Sequence, residues 1–286
     1  MSRPAQVISY ATTEVTLTVN AVSDVGAKRA VNEDSYLARA PIFLVADGMG
    51  GHAYGDRASQ AVVRTFSASI PADQVTTAAA VLAAITESNT AVRALTDGLA
   101  EDRQISGTTV SGIALIGSEG QSNLHWMVFN VGDSRVYSWD GRLTQLTVDH
   151  SAVQELIDDG SISEAEASHH PERNVITRAV GIGDEVEADI WLLPAGGKQT
   201  FLICSDGLTK ELTDDLISTM VSDAVASKTM AALAPRLVES AIREGGLDNI
   251  TVIIIEASVV QIAEAGHGAL HSVEVPAFLE QTLPRV

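Results

Sequence analysis

The chain has one cysteine, Cys204, among 286 residues. A lone thiol excludes an intramolecular disulfide and a cysteine-built zinc site, and its place inside the apolar run "TFLICSDG" makes it a core residue. Cations are also scarce: 18 Lys and Arg stand against 37 Asp and Glu, a formal charge of −19. That balance excludes a nucleic-acid or anionic-membrane surface, and a phosphorylated partner would have to be met by local cations. No run approaches the ~20 apolar residues of a membrane span. The opening "MSRPAQVISYATTEV" carries one arginine and too short an apolar patch for a signal peptide. The expectation is a soluble, cytoplasmic, monomeric protein with no membrane span and no nucleic-acid partner.

Aromatics make up only 4% of the chain, but apolar residues reach 45%, enough for a sizeable core in one large domain or two. Alternation in "TEVTLTVNAVSDVG" puts Val15, Leu17 and Val19 on one face of a strand. Further strands are expected in "PIFLVAD", "TTVSGIALIG", "LHWMVFNVGD", "RVYSW", "EADIWLL", "TFLICSD" and "NITVIIIEA". Apolar residues at three- and four-residue steps predict helices over Thr76–Leu95 and Met230–Ile242, with others after Thr213 and from Gly55 toward Ile70. Strands in runs, with long helices between them, suit a sheet core covered by helices, and a parallel nucleotide-binding sheet fits less well. From Asp149 to Ile176 the pattern breaks into a polar insertion with one short helix expected around Ala152–Asp158.

Apolar strands carry aspartates at one end: "FLVADG" ends on Asp47, "VFNVGDS" on Asp133, "FLICSDG" on Asp206, and "LDNITVIII" is preceded by Asp248. A single such aspartate is ordinary turn chemistry. Several, spread along the chain, imply carboxylates gathered on one rim, together with "NED" at Asn32–Asp34. Clustered carboxylates are driven toward protonation unless a cation sits among them. An all-oxygen donor set with no Cys or His cluster suits a hard divalent ion such as magnesium or manganese.

The ordered motifs "RAVNED", "ADGMGGH", "SGTTV", "NVGDSRVY", "LTVDHS", "HPERNVITRAVG", "CSDGLT" and "LDNITVI" resemble those of the metal-dependent protein serine/threonine phosphatases, the PPM or protein phosphatase 2C family, in its bacterial form. The resemblance spans roughly Asn20 to Ala257. It implies an α+β fold, a central β-sandwich of two mainly antiparallel sheets flanked by helices on both sides. A short N-terminal segment (1–14), a catalytic domain (15–257) with a flap at about 149–175, and a C-terminal extension (258–286) would follow.

By the same resemblance Asp47 would bridge two metal ions, the Gly48 carbonyl completing one site and Asp206 and Asp248 the other. Asp133 would help hold a third, weaker ion with Asp206 shared, and Glu33 and Asp34 would act through metal-bound waters. Arg29 would grip the substrate phosphate, and His52, where many relatives have a histidine nearer the DG pair, would aid the leaving group or contact substrate. The reaction implied is direct in-line attack of a metal-bridging hydroxide on phosphoserine or phosphothreonine, with Mn2+ or Mg2+ as cofactor. The partners implied are phosphoproteins, among them a serine/threonine kinase that the enzyme would oppose. Three other readings stay open here: a catalytically silent relative that binds phosphoproteins or scaffolds a kinase, a phosphatase narrowed to one regulatory switch protein, and a plain acidic metal-binding domain.

Overall fold

The computed structural model describes residues 6–50, 54–95, 106–117, 123–167 and 169–261. Two antiparallel sheets stack face to face. The first carries β1 (Gln6–Tyr10), β2 (Thr13–Asp24), β8 (Arg135–Trp139), β9 (Leu143–Gln145), β11 (Gly197–Cys204) and β12 (Ile250–Gln261), in the order β1-β2-β12-β11-β8-β9. The second carries β3 (Asp34–Arg39), β4 (Ile42–Met49), β6 (Val110–Ile116), β7 (His125–Val131) and β10 (Asp189–Pro194), in the order β10-β7-β6-β4-β3. A two-residue strand, β5 (Gly107–Thr108), pairs with the end of β4.

Between the sheets, Val15, Leu17, Val19, Phe201, Ile203, Ile253 and Ile255 from the first face Phe43, Val45, Ile113, Trp126 and Val128 from the second. The opposite faces are also covered. Leu44, Ala46 and Phe129 pack on helices α1 (Gly55–Ser69) and α2 (Ala78–Arg93) through Val62, Phe66, Val81 and Ile85. Leu202, Cys204, Val252 and Ile254 pack under α6 (Asp214–Ser227) and α7 (Leu233–Glu244) through Ile217, Val221, Leu237 and Val238. Helices on each outer face of a two-sheet sandwich give the expected α+β architecture, and a strand buried on both faces reads as an unbroken apolar run.

The polar insertion holds the short helix α3 at Ala152–Asp158, as the sequence predicts, and a further helical turn, α4 (Glu164–Ala167). Ser151 caps α3, its hydroxyl accepting from the Gln154 N–H. Strands β1, β3 and β9 go beyond the sequence reading, and β12 runs on to Gln261. Residues 262–286 of the expected C-terminal extension, and His52, lie outside the described residues. Among the described residues no helix is long and apolar enough to cross a membrane.

Candidate active site

The sandwich brings strand ends from both sheets to one rim. Asp47 lies near the end of β4, opposite Asp34, the first residue of β3. Asp206 opens the one-turn helix α5 (Asp206–Thr209) directly after β11, Asp248 lies just before β12, and Asp133 sits between β7 and β8. Burial drives the Asp47 carboxyl well above its ordinary pKa, and the charges of Asp34, Asp206, Asp133 and Asp248 push it further. Burial likewise raises Asp34 to about 7, against two opposing hydroxyl hydrogen bonds and with help from Asp206 and Asp248. Asp133 is raised to about 8 by burial, then by Asp206 and Asp149. These mutual effects place the predicted carboxylates in one electrostatic basin.

Neutral donors fix the acids. Asp34 Oδ2 accepts from Ser205 Oγ and Thr251 Oγ1, both at 2.7 Å. The Asp47 backbone is clasped on both sides: its N–H donates to Thr109 Oγ1 at 2.9 Å, while its carbonyl accepts from Thr108 Oγ1 and the Thr109 N–H, each at 2.9 Å. Asn249 ties the Arg29–Asp34 loop to β12, accepting from the Glu33 N–H at 2.8 Å and donating to the Val25 and Val31 carbonyls at 3.0 Å. The strand expected in "TTVSGIALIG" gives no sign of this clasp. Ser205 and Asn249 sit directly beside the motif aspartates and Thr251 three residues after Asp248, so proximity in sequence is the signal that could have found them.

Gly48 follows Asp47 where no side chain fits. A Cβ there would stand 2.1 Å from the Gly55 carbonyl oxygen and 2.6 Å from that of Glu33. The Gly48 N–H donates to the Glu33 carbonyl at 3.2 Å, so the two acidic motifs meet backbone to backbone. Glu33 itself is raised by burial, with Arg29 opposing the rise.

Among the described residues two cations, Arg29 and Lys210, pair with these acids. Arg29 lies 2.9 Å from Asp248 Oδ1 and 3.8 Å from Glu33 Oε2, with its side chain 47% exposed. Lys210, unremarked in the sequence reading, touches Asp206 Oδ2 and stands 3.2 Å from Asp248 Oδ2. Burial lowers its pKa, but Asp206, Asp248 and Asp47 outweigh that and raise it. Its signal in the sequence is the four-residue step from Asp206.

The donors suit a hard divalent ion. Asp34 Oδ1, Asp133 Oδ1 and Asp206 Oδ1 are buried and accept no hydrogen bond, an arrangement costly for an anionic oxygen and natural for a ligand atom. Among the described residues no three acidic, histidine or cysteine side chains already close round a single point. The carboxylates share the basin but are splayed, with Lys210 lodged against two of them.

Comparison with known proteins agrees with this geometry. The protein phosphatase 2C family model matches residues 26–243. The chain is 38% identical over 259 residues to the serine/threonine protein phosphatase PstP of Mycobacterium tuberculosis, covering 90% of this chain but 46% of that protein, so it spans about half the length of that relative. It is 34% identical to the serine/threonine phosphatase stp of Listeria monocytogenes, over 77% of this chain and 86% of that one. A crystal structure of the PstP catalytic domain in complex with two manganese ions superposes with a TM-score of 0.72 at 37% identity, covering 86% of this chain and 99% of that one. On sequence, fold and the order of its acidic motifs, the chain belongs to the protein phosphatase 2C family.

Proposed function

We propose that this chain is a metal-dependent phosphatase that hydrolyses phosphoserine and phosphothreonine in proteins, residues 15–257 forming its catalytic domain and 149–175 its flap. The observation that carries this reading is the rim of aspartates drawn from strands far apart in sequence, three with a buried oxygen that accepts no hydrogen bond. Asp47, the Gly48 carbonyl, Asp206 and Asp248 would hold two Mn2+ or Mg2+ ions, with Asp133 serving a third and Glu33 and Asp34 acting through metal-bound waters. Such ions, when bound, neutralise phosphoryl charge and acidify water at neutral pH.

The chain's own residues do the rest. The threonine clasp fixes the Asp47 backbone, so the central carboxylate stays oriented as charge builds at the site. Ser205 and Thr251 hold one Asp34 oxygen and leave the other buried without a hydrogen bond. Arg29, half exposed at the mouth, has the planar fork that suits a phosphoryl group, and it would exchange a carboxylate for substrate oxygens. A silent, scaffolding relative would be marked by lost acidic positions; every one expected is filled. The setting proposed is cytoplasmic and monomeric, against phosphoproteins that include a serine/threonine kinase.

The test is hydrolysis of an aryl phosphate and a phosphothreonine peptide with Mn2+, with and without chelator. Asp206→Asn is expected to lower metal-dependent turnover on the order of a hundredfold or more, the scale of losing one preorganised electrostatic group. Turnover that ignores chelator, or an unaffected variant, would remove the enzymatic reading.

A further inference from the structure

Asp248 has no oxygen to spare. Its Oδ1 meets Arg29 at 2.9 Å and accepts from the Asn249 N–H at 2.9 Å, while its Oδ2 faces Lys210 at 3.2 Å. On Asp206, Oδ2 touches the same Lys210 nitrogen and Oδ1 is buried without a partner. One ammonium therefore contacts both carboxylates assigned to a single ion.

The local fold puts this contact within reach. Helix α5 is a single turn, and the Lys210 N–H donates to the Asp206 carbonyl at 2.8 Å, so the lysine begins one turn above the aspartate. Side chains four residues apart on a helical turn meet. A lysine ammonium is a compact point charge on a flexible stem, able both to fill such a position and to leave it. Its side chain is 34% exposed, so a route out to solvent exists.

We propose that Lys210 is a built-in counter-ion, which holds Asp206 and Asp248 together without metal and must be displaced when a divalent ion enters their site. This rests on the metal assignment above and adds a regulatory element to it: the lysine weakens metal affinity and stabilises the metal-free state. A charge of the same sign at contact distance from two ligand oxygens opposes a cation strongly where water is partly excluded.

The test uses the full chain and Mn2+ alone, with binding read from the electron paramagnetic resonance of free Mn2+ and unfolding read by circular dichroism in chelator. Lys210→Met should bind Mn2+ about tenfold tighter or more at one site, about 1.4 kcal/mol, and melt lower than wild type in chelator. Lys210→Gln, which keeps a donor toward Asp206, is the second neutral variant in case the first folds poorly, and should tighten likewise. Lys210→Arg keeps the charge and should stay within about threefold of wild type, since the counter-ion role follows charge. Unchanged or weaker Mn2+ binding in the neutral variants overturns the proposal, as does equal tightening by arginine or a higher melting point in chelator. If wild type binds Mn2+ and Asp206→Asn does not, such a failure belongs to Lys210 alone; if wild type binds none, the metal assignment fails with it.

Discussion

Arg135, directly after the Asp133-Ser134 turn, secures the start of the insertion. Its Nε donates to both oxygens of Asp149 at 3.0 Å, and a terminal nitrogen adds 2.7 Å to Oδ2. The other terminal nitrogen donates to the buried Tyr137 hydroxyl at 3.1 Å, which in turn donates to Asp214 at 3.0 Å. Replacing Arg135 with Met keeps most of the stem but removes three hydrogen bonds to Asp149, leaving it the one from Gln145 at 3.0 Å. Breaking a buried pair from one side costs about 3–5 kcal/mol. The side chains are 25% and 11% exposed, so water recovers part of that and the lower end, about 3 kcal/mol, is expected. In urea unfolding at fixed metal concentration this is a large share of the roughly 5–15 kcal/mol of a native domain. A double-mutant cycle with Asp149→Asn should return a coupling of about 2 kcal/mol. A single-variant loss below about 1 kcal/mol, or strict additivity, would refute the reasoning that this pair is desolvated and cooperative.

Two further predictions concern the rim. In chelator, Asp34, Asp133 and Asp47 all have folded-state pKa values above the ordinary carboxylate value, so the stability they supply is full below about pH 4 and is lost as pH rises, through about 7 for Asp34 and about 8 for Asp133. The melting temperature of the metal-free protein should therefore fall between pH 5 and pH 8, and saturating Mn2+ should flatten that slope; a flat or rising profile in chelator contradicts it. Gly48→Ala sets a methyl 2.1 Å from the Gly55 carbonyl oxygen, with a second backbone oxygen at 2.6 Å, so main chain rather than a rotamer must move. Overpacking of this kind costs about 3 kcal/mol or more, and calorimetry should show it together with loss of metal-dependent turnover.

The elements legible in the sequence were those whose burial imposes a pattern. Val15, Leu17 and Val19 alternate because β2 buries one face, and β4 runs apolar because Phe43 and Val45 enter the sandwich while Leu44 and Ala46 meet α1 and α2. The elements missed impose little. Strand β1 buries Ile8 alone, β9 is three residues long, and β3 buries Asp34 and Ala38 with only Leu37 and Tyr36 to mark it as apolar. Asp47, Asp206 and Asp248 were legible because a DG, SDG or DN beside an apolar strand is a compact signal. Lys210 was not, because its meaning depends on α5 lasting one turn and on Asp248 arriving from 38 residues away.

Threonines in or beside strands hide a role in the same way. Thr108, Thr109 and Thr251 read as β-formers, yet their hydroxyls hold the Asp47 backbone and the Asp34 carboxylate. The rim thus divides its labour. Neutral donors set where the acids stand: Thr108, Thr109, Ser205, Thr251 and Asn249 act at any pH at which the chain folds, and they need no ion. Cations decide only whether the gathered charge is tolerated, with Arg29 and Lys210 doing so from within the chain. Chelation should then leave the β2–β12 and β3–β4 ladders in register, and hydrogen exchange should show protection lost first around Asp206–Lys210 and Asp248. Loss that starts in the ladders instead would mean that the ions, and not the hydroxyls, hold the acids in place.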